Sequence, residues 1–274
     1  MRLFVGDLRK LVRRPASLIS MALLIGLLGL IFIAIGATAR QVPEDEGGVA
    51  ALLAVTFPGA YTVIITLILQ LGGLIAVVYG AAIAGSEWNW GTLKSAVARG
   101  ESRSRYQLAL FAAIALALAV GLVIAFVAIT LIALLGAALA GVSSSGATDP
   151  DALGRLPEQL GRVWLAVTEQ AAVGFAVATL ARSQLAGIGA GIGLFIGEGI
   201  ASIFLGEWVL YLPFNSAGAV LPALGGGFGG GGGGGGGGLV NQLAPDTALL
   251  VVAAWLLGSL VVASLFTERA EITG

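Results

Sequence analysis

Residues 108–140 read LALFAAIALALAVGLVIAFVAITLIALLGAALA, a run with no charged residue and no proline. About 20 apolar residues are enough to cross the hydrocarbon core of a bilayer. At about 1.5 Å per residue, this run would extend about 50 Å as a helix. Because it also lacks a cluster of polar turn residues, we predict one long helix that protrudes from the membrane, in preference to two spans.

Other apolar stretches of suitable length lie at residues 18–39, 60–84, 163–181, 186–205 and 246–266. The composition agrees with this pattern, since 58% of the 274 residues are hydrophobic and only 11% are charged. Soluble domains contain about 25% charged residues. The mean hydropathy is +0.99. We therefore predict an all-α integral membrane protein, with six transmembrane helices in a single domain over residues 1–274.

Residues 206–245, between the last two predicted spans, are interrupted and irregular. The apolar segment 208–224 contains Pro213, Asn215 and Pro222. These residues favour a re-entrant or interfacial hairpin over the alternative, a seventh span. Residues 225–238 are glycine except for one phenylalanine. Glycine loses the most backbone entropy on ordering, so we predict a disordered extracellular tether there.

The basic residues predict the orientation. If the N-terminus is placed in the cytoplasm, eleven of the 14 Lys and Arg residues fall on the cytoplasmic side. They are Arg2, Arg9, Lys10, Arg13, Arg14, Lys94, Arg99, Arg103, Arg105, Arg182 and Arg269. Loops rich in Lys and Arg stay inside the cell. Both termini are therefore predicted to be cytoplasmic, in the inner (plasma) membrane of a prokaryotic cell.

The N-terminal segment 1–15 has a helical pattern with one apolar face. That face is formed by Phe4, Val5, Leu8, Leu11 and Val12, and basic residues cover the other side. Such a helix is expected to lie in the membrane interface with its basic face toward the headgroups. The alternative interpretation is an ordinary topology anchor, which explains the charges equally well.

The segment 85–107, GSEWNWGTLKSAVARGESRSRYQ, is a long and charged connection between the second and third spans. Its apolar residues have helical spacing, and Gly100 provides a stop. We predict a short amphipathic helix across the cytoplasmic end of the spans. Glu87 could accept a hydrogen bond from Lys94 or from Arg103. The alternative is a solvated loop that only follows the positive-inside rule.

Several of these features together resemble the ABC-2 type permeases, the membrane subunits of one class of ABC transporter. A glutamate, Glu87, closes the second span, and the run Gly91–Lys94 and the pair Ser102-Arg103 follow it. Arg13-Arg14-Pro15 before the first span and the six-span plan are also similar. The resemblance implies that segment 1–15 is an elbow helix, that segment 85–107 holds a coupling helix, and that the residues after span five form an extracellular hairpin.

The resemblance also implies a partner, because the coupling helix of these permeases docks on an ATPase subunit. The candidate docking and positioning residues are Glu87, Gly91, Thr92, Leu93, Lys94 and Arg103. The chain itself has no GxxxxGK[ST] pattern, so we expect ATP and Mg²⁺ to bind in a separate ATPase, in two copies, and no cofactor to bind to this chain. A second copy of the permease, or a homologous one, would complete the assembly.

Two glutamates, Glu169 and Glu198, lie inside predicted spans. A charge there costs several kcal/mol, so each is expected to be protonated, paired or beside water. The functional interpretation is a polar gate or a cation-contacting site. The alternative is a hydrogen bond between helices or, for Glu198, a position at the water interface.

The fifth span contains glycines at close intervals, of which Gly187, Gly191, Gly193 and Gly197 are candidates for close helix packing. Glycines four residues apart allow helix backbones to approach. The pattern leaves open whether that packing is within the chain or between two copies.

The residue types present argue against catalysis by this chain. It contains no Cys and no His, which removes the commonest nucleophile–base pairs and metal ligands. Neither the HExxH nor the GxSxG pattern occurs, and no nucleic-acid partner is expected. We predict the permease subunit of an ATP-driven exporter that moves an undetermined substrate outward. The alternative is a channel or a membrane scaffold outside the ABC class.

Overall fold

A computed structural model describes residues 2–41, 48–221 and 243–270, and every regular element in these ranges is helical. The ten α-helices are α1 (Arg2–Arg13), α2 (Pro15–Thr38), α3 (Gly48–Val55), α4 (Gly59–Asn89), α5 (Thr92–Ala98), α6 (Arg103–Ala140), α7 (Pro150–Ala181), α8 (Gln184–Ala201), α9 (Pro213–Gly218) and α10 (Pro245–Arg269). Two short 3₁₀ helices cover Ser145–Thr148 and Gly206–Tyr211.

Six helices in the described ranges are long and apolar enough to cross a membrane: α2, α4, α6, α7, α8 and α10. The prediction of an all-α, multi-pass membrane protein is therefore confirmed. The apolar run 108–140 forms most of α6, a single helix of 38 residues. At about 1.5 Å per residue α6 is about 57 Å long, so it extends well beyond a hydrocarbon core of about 30 Å.

The fourth span begins earlier than predicted, since α7 starts at Pro150 and the predicted stretch started at 163. The Asp149 side chain accepts hydrogen bonds from the backbone N–H groups of Asp151 and Ala152, at 2.9 and 3.1 Å. Proline at the first helical position then completes a strong start signal. The charged first part of α7 lowers the local hydropathy, and a search for apolar runs therefore misses it.

The connection between the second and third spans is mostly helical. The last turn of α4 continues to Asn89, and α5 and the first turn of α6 account for much of the predicted segment 85–107. A short helix between the spans was predicted, and α4 continues two residues past Glu87, the residue predicted to close the second span. The short apolar helix α3, between the first two spans, was also not predicted.

The segment after α8 contains no helix long enough to span a membrane within the described residues. Residues 206–218, which we call the hairpin segment, form a 3₁₀ helix and the six-residue α9, with Leu212 extended between them. Trp255 Nε1 donates to the Tyr211 carbonyl at 2.8 Å, and this bond ties the segment to α10. Pro222 and the glycine tract 225–238 lie outside the described residues.

Helices α4 and α7 form the centre of the bundle, and most residues in the apolar part of each are buried inside it. The outer helices α2, α6, α8 and α10 bury only a minor part of their surface and expose large apolar side chains. Since lipid tails are as apolar as these side chains, such a surface is stable only in a membrane. Polar side chains in the buried parts of the two central helices, α4 and α7, are therefore removed from water and need partners within the protein.

The two ends of the bundle differ in composition. At one end, which we call the α5 end, Arg182 lies over the rings of Trp88 and Phe266, at 5.3 Å from each centroid. At the opposite end, the hairpin end, Arg162 bonds to Asp246. The segments that carry most of the basic residues, including α1 and α5, thus meet at one end, as the predicted grouping requires.

Candidate functional site

Glu87 is the centre of a polar cluster at the α5 end. Its side chain is in the last turn of α4 and is 1% exposed. The Oε1 atom accepts from Lys10 Nζ at 2.5 Å and from Arg14 Nη2 at 2.9 Å. Arg14 also donates through Nη1 to Ser86 Oγ at 2.9 Å. These bonds connect the end of α4 to α1 and to the residue between α1 and α2.

The second oxygen of Glu87 connects the same point to α5 and α6. Tyr106 OH donates to Oε2 at 2.5 Å, and the Thr92 hydroxyl donates to the same atom. One carboxylate therefore accepts from four side chains, which lie on α1, between α1 and α2, on α5 and on α6. Two cations and two hydroxyl donors compensate the charge of this buried carboxylate well. Without the carboxylate, either cation would be left in a poorly solvated position.

The predicted partners of Glu87 need correction. The Arg103 side chain does not reach Glu87, because its Nη1 donates to the carbonyls of Thr267, Glu268 and Ala270, at 3.4, 3.0 and 2.7 Å. Helix ends leave carbonyl groups without intrahelical partners, and the end of α10 supplies these. Arg103 thus joins α6 to α10. The side chain of Lys94 lies outside the described part of the chain.

The α5 helix has one buried and one exposed face. Leu93 and Ala96 are buried against Tyr106, and Trp88 packs against this group. Trp90 is 66% exposed, and Ser95 and Arg99 are also exposed. The inward face anchors the helix, while the outward face is available to another molecule.

A glycine begins the turn into α5. Gly91 has φ +64°, a left-handed conformation that favours glycine. Among the predicted docking residues, Gly91 forms this turn, whereas the Thr92 hydroxyl and the Leu93 side chain point inward. The exposed residues here are Ser95 on α5, Trp90 just before the helix and Arg99 just after it.

A second acid, Asp7 on α1, lies close to this cluster. It is buried, and its Oδ2 atom has no hydrogen-bond partner among the described residues. Burial raises the pKa of Asp7 to about 6, and the nearby charge of Glu87 adds to the rise, while Lys10 and Arg14 oppose it. Asp7 is thus an uncompensated acid beside a compensated one, and sequence periodicity gave no signal for it.

Asp7→Asn is expected to flatten the pH dependence of stability. The folded-state pKa of about 6 lies above the usual 3.8, so the folded protein binds more protons than the unfolded chain between these values. Stability should therefore fall as the pH rises from about 4 to about 6 and stay lower above that. Thermal unfolding of both proteins across this range measures the difference, and equal slopes in both would contradict this account of Asp7.

Glu198, near the end of α8, holds the hairpin segment. Its carboxylate accepts from the backbone N–H of Phe214, at 3.0 Å to Oε2, and from the backbone N–H and side-chain Nδ2 of Asn215, at 3.0 and 2.9 Å. The Phe195 and Phe214 rings pack edge to face at 5.4 Å. A hydrogen bond between helices, one of the alternatives left open for Glu198, is therefore present between α8 and α9.

Glu169, on α7, is in a different environment. It is completely buried, and neither carboxyl oxygen has a hydrogen-bond partner in the described ranges. Thr168 Oγ1 and Gln170 Oε1, its neighbours in sequence, are also without partners. Neither Glu169 nor Glu198 belongs to the Glu87 cluster, and the bonds of Glu198 to residues 214 and 215 place it toward the hairpin end.

Two of the four α8 glycines predicted to pack closely do so against other helices in the described part of the chain. A Cβ atom on Gly187 would lie 2.3 Å from Ala178 Cβ, and one on Gly191 would lie 3.1 Å from Val77 Cγ2. Gly193 and Gly197 have no described neighbour within 4 Å of such an atom. The tightest contacts with backbone atoms among the described residues instead involve Gly80 on α4 and Gly174 on α7, which the glycine pattern of α8 did not indicate.

An apolar cavity of about 130 Å³ lies between α2, α4 and α6. Leucine, isoleucine, alanine and glycine residues form most of its wall, and Ser17 Oγ and Tyr79 OH, 2.9 Å apart, provide hydroxyl groups. The cavity is large enough for a few methylene groups and contains no charged side chain in its lining.

The described residues contain no group of three or more acidic, His or Cys side chains that could hold a metal ion. In comparisons with known proteins, no family model matches this chain and no curated protein matches it at a significant level.

Proposed function

We propose that this chain is the membrane-spanning permease subunit of an ATP-driven ABC exporter of the ABC-2 type, and that a separate ATPase energises it. The observation that carries the proposal is the position of α5, a short helix between two long spans, exposed on one face and fixed on the other through Glu87. A helix held in this way moves the spans when a soluble partner displaces it. A free loop would change its own conformation and leave the spans in place.

The cluster around Glu87 supports transmission to several helices at once. Thr92 on α5, Tyr106 on α6 and Lys10 on α1 all bond to the one carboxylate that ends α4. A displacement of α5 therefore moves the ends of α4 and α6 together with α1. In this proposal α1 is the elbow helix, α5 is the coupling helix, and the hairpin segment is the extracellular hairpin.

The proposed orientation follows from charge. The segments rich in Lys and Arg meet at the α5 end, which the positive-inside rule places in the cytoplasm, where an ATPase is available. The proposed assembly has two ATPase subunits and a second copy of this permease or a homologous one. The substrate leaves at the hairpin end. The alternative function is a channel or a membrane scaffold outside the ABC class. It would replace this proposal if no ATPase binds to the chain.

Reversal of a charge on α5 is expected to weaken capture of the ATPase. Arg99→Glu changes the exposed face of α5 and no hydrogen bond of the Glu87 cluster, so the chain should fold normally while ATPase co-purified from native membranes falls at least tenfold. Arg155→Glu, an equally exposed arginine at the hairpin end, is the matched control and should retain capture. Equal capture by both variants would contradict docking on α5.

A further inference from the structure

Glu169 is a carboxyl group in the membrane-spanning part of the bundle with no visible compensation. It is 0% exposed, and no described side chain or backbone group donates to either oxygen. An isolated carboxylate in such a position costs several kcal/mol, whereas the protonated acid costs much less. The geometry therefore fits a neutral Glu169 that carries a proton.

Glu198 has the opposite character. All of its bonds are accepted ones, from two backbone N–H groups and one side-chain amide of residues 214 and 215. An ionised carboxylate only accepts hydrogen bonds, so this pattern fits a negative charge. The two glutamates therefore differ in the state that their surroundings favour.

The two carboxyl groups lie at similar depth. Glu169 precedes the end of α7 at Ala181 by twelve positions, about 18 Å, and Glu198 follows the start of α8 at Gln184 by fourteen, about 21 Å. Their helices pack directly against each other where Gly187 of α8 meets Ala178 of α7, so Glu198 acts electrostatically on Glu169. Like charges in such surroundings do not both ionise readily.

The other elements packed against α7 bring no compensating charge. Helix α4 meets α7 closely at Gly73, Val77 and Gly80, none of which titrates. The charged residues of α10, Asp246, Glu268 and Arg269, are at its two ends, and α9 contains none. On α6 the charged residues, Arg103 and Arg105, are in the first turn, at the α5 end.

We propose that Glu169 is an intramembrane proton-binding site and that Glu198 links its occupancy to the hairpin segment. When Glu169 releases its proton to water, a second negative charge appears beside Glu198. Displacement of Glu198 relieves the repulsion, and α9 must then move with it or lose the bonds at Phe214 and Asn215. This inference does not depend on the permease proposal, since it concerns residues far from α5.

Infrared spectroscopy of the purified protein in lipid nanodiscs tests the site. The measurement is made at pH 8, because Asp7, with a pKa of about 6, is then ionised and does not contribute a protonated-carboxyl band. At this pH the wild type should show the carbonyl stretch of a buried protonated carboxyl. Glu169→Gln should remove that band completely. Glu198→Gln is the matched control and should retain it. A band that is missing from the wild type, or that survives in Glu169→Gln, would overturn the site.

A spin label on the hairpin segment tests the link. The chain contains no cysteine, so Trp208→Cys, at a position 77% exposed, provides a single labelling site. As the pH is raised, label mobility should change in the same range in which the infrared band is lost, and Glu169→Gln should abolish this change. Loss of the band without a change in mobility would overturn the link, as would a mobility change that persists in Glu169→Gln.

Discussion

Glu87→Gln should lower the free energy of unfolding by about 3–5 kcal/mol, the usual cost of removing one partner of a buried ion pair. The substitution keeps the shape of the side chain but removes the charge that Lys10 and Arg14 share. Both cations then lose the counter-ion to which they are bonded at the junction of α1, α4 and α5. Thermal unfolding should show a clearly lower midpoint, and tryptic cleavage within α1 should become faster.

The matched control is Glu158→Gln. Glu158 forms an ion pair with Arg162 at 2.9 Å, but its side chain is 69% exposed. Exposed pairs contribute little because water already solvates both charges. The same chemical change should therefore leave the unfolding midpoint nearly unchanged. Similar midpoints for the Glu87 and Glu158 variants would show that the Glu87 cluster is not a major source of stability.

Gly80→Ala should strongly destabilise the bundle. A Cβ atom there would lie 2.1 Å from the carbonyl oxygen of Ala171, and no rotamer change can move a backbone atom. Helices α4 and α7 would have to separate along the central contact of the fold. Overpacking of this kind costs about 1–3 kcal/mol or more. The yield of monodisperse protein and the unfolding midpoint should both fall.

Gly26→Ala on α2 is the control for this substitution. A Cβ atom on Gly26 meets nothing within 4 Å in the described part of the chain. Alanine also has the higher helix propensity, so stability should be unchanged or slightly greater. If Gly80→Ala unfolds at the same temperature as Gly26→Ala, the close approach of α4 and α7 is wrong.

Hydropathy was sufficient to predict the spans because it depends on composition along one helix. The run 108–140 predicted a single long helix, and α6 is one. The first part of α7 was missed for the complementary reason. Its start is encoded by the Asp149 cap and by Pro150, which are local signals that an average over apolar residues does not detect.

The partners of polar residues were much harder to predict than the residues themselves. Glu87 was identified from its place at the end of a span, but Lys10 and Arg14 are more than 70 positions away in the sequence. Sequence spacing gives contacts along one helix, whereas these contacts depend on how α1 folds back onto α4. The same limit applies to Arg103 and the carbonyls of α10.

The identification of Glu169 and Glu198 shows a similar division. A glutamate inside an apolar run is visible in the sequence, and so is the cost of its charge. Only the tertiary structure shows that Glu198 is satisfied by the N–H groups of the hairpin segment while Glu169 is not. Two residues that received the same functional interpretation from the sequence therefore have different expected states.

The most direct test of the permease proposal is a site-specific version of the capture experiment. Ser95→Cys, on the exposed face of α5, and Ser143→Cys, at the hairpin end, each give one thiol in a chain without other cysteines. Native membranes are then treated with a cross-linker. If the permease proposal holds, an ATPase subunit is joined to the Ser95 position and none is joined to the Ser143 position. Absence of an ATPase at Ser95, with the protein folded and labelled, would contradict the account.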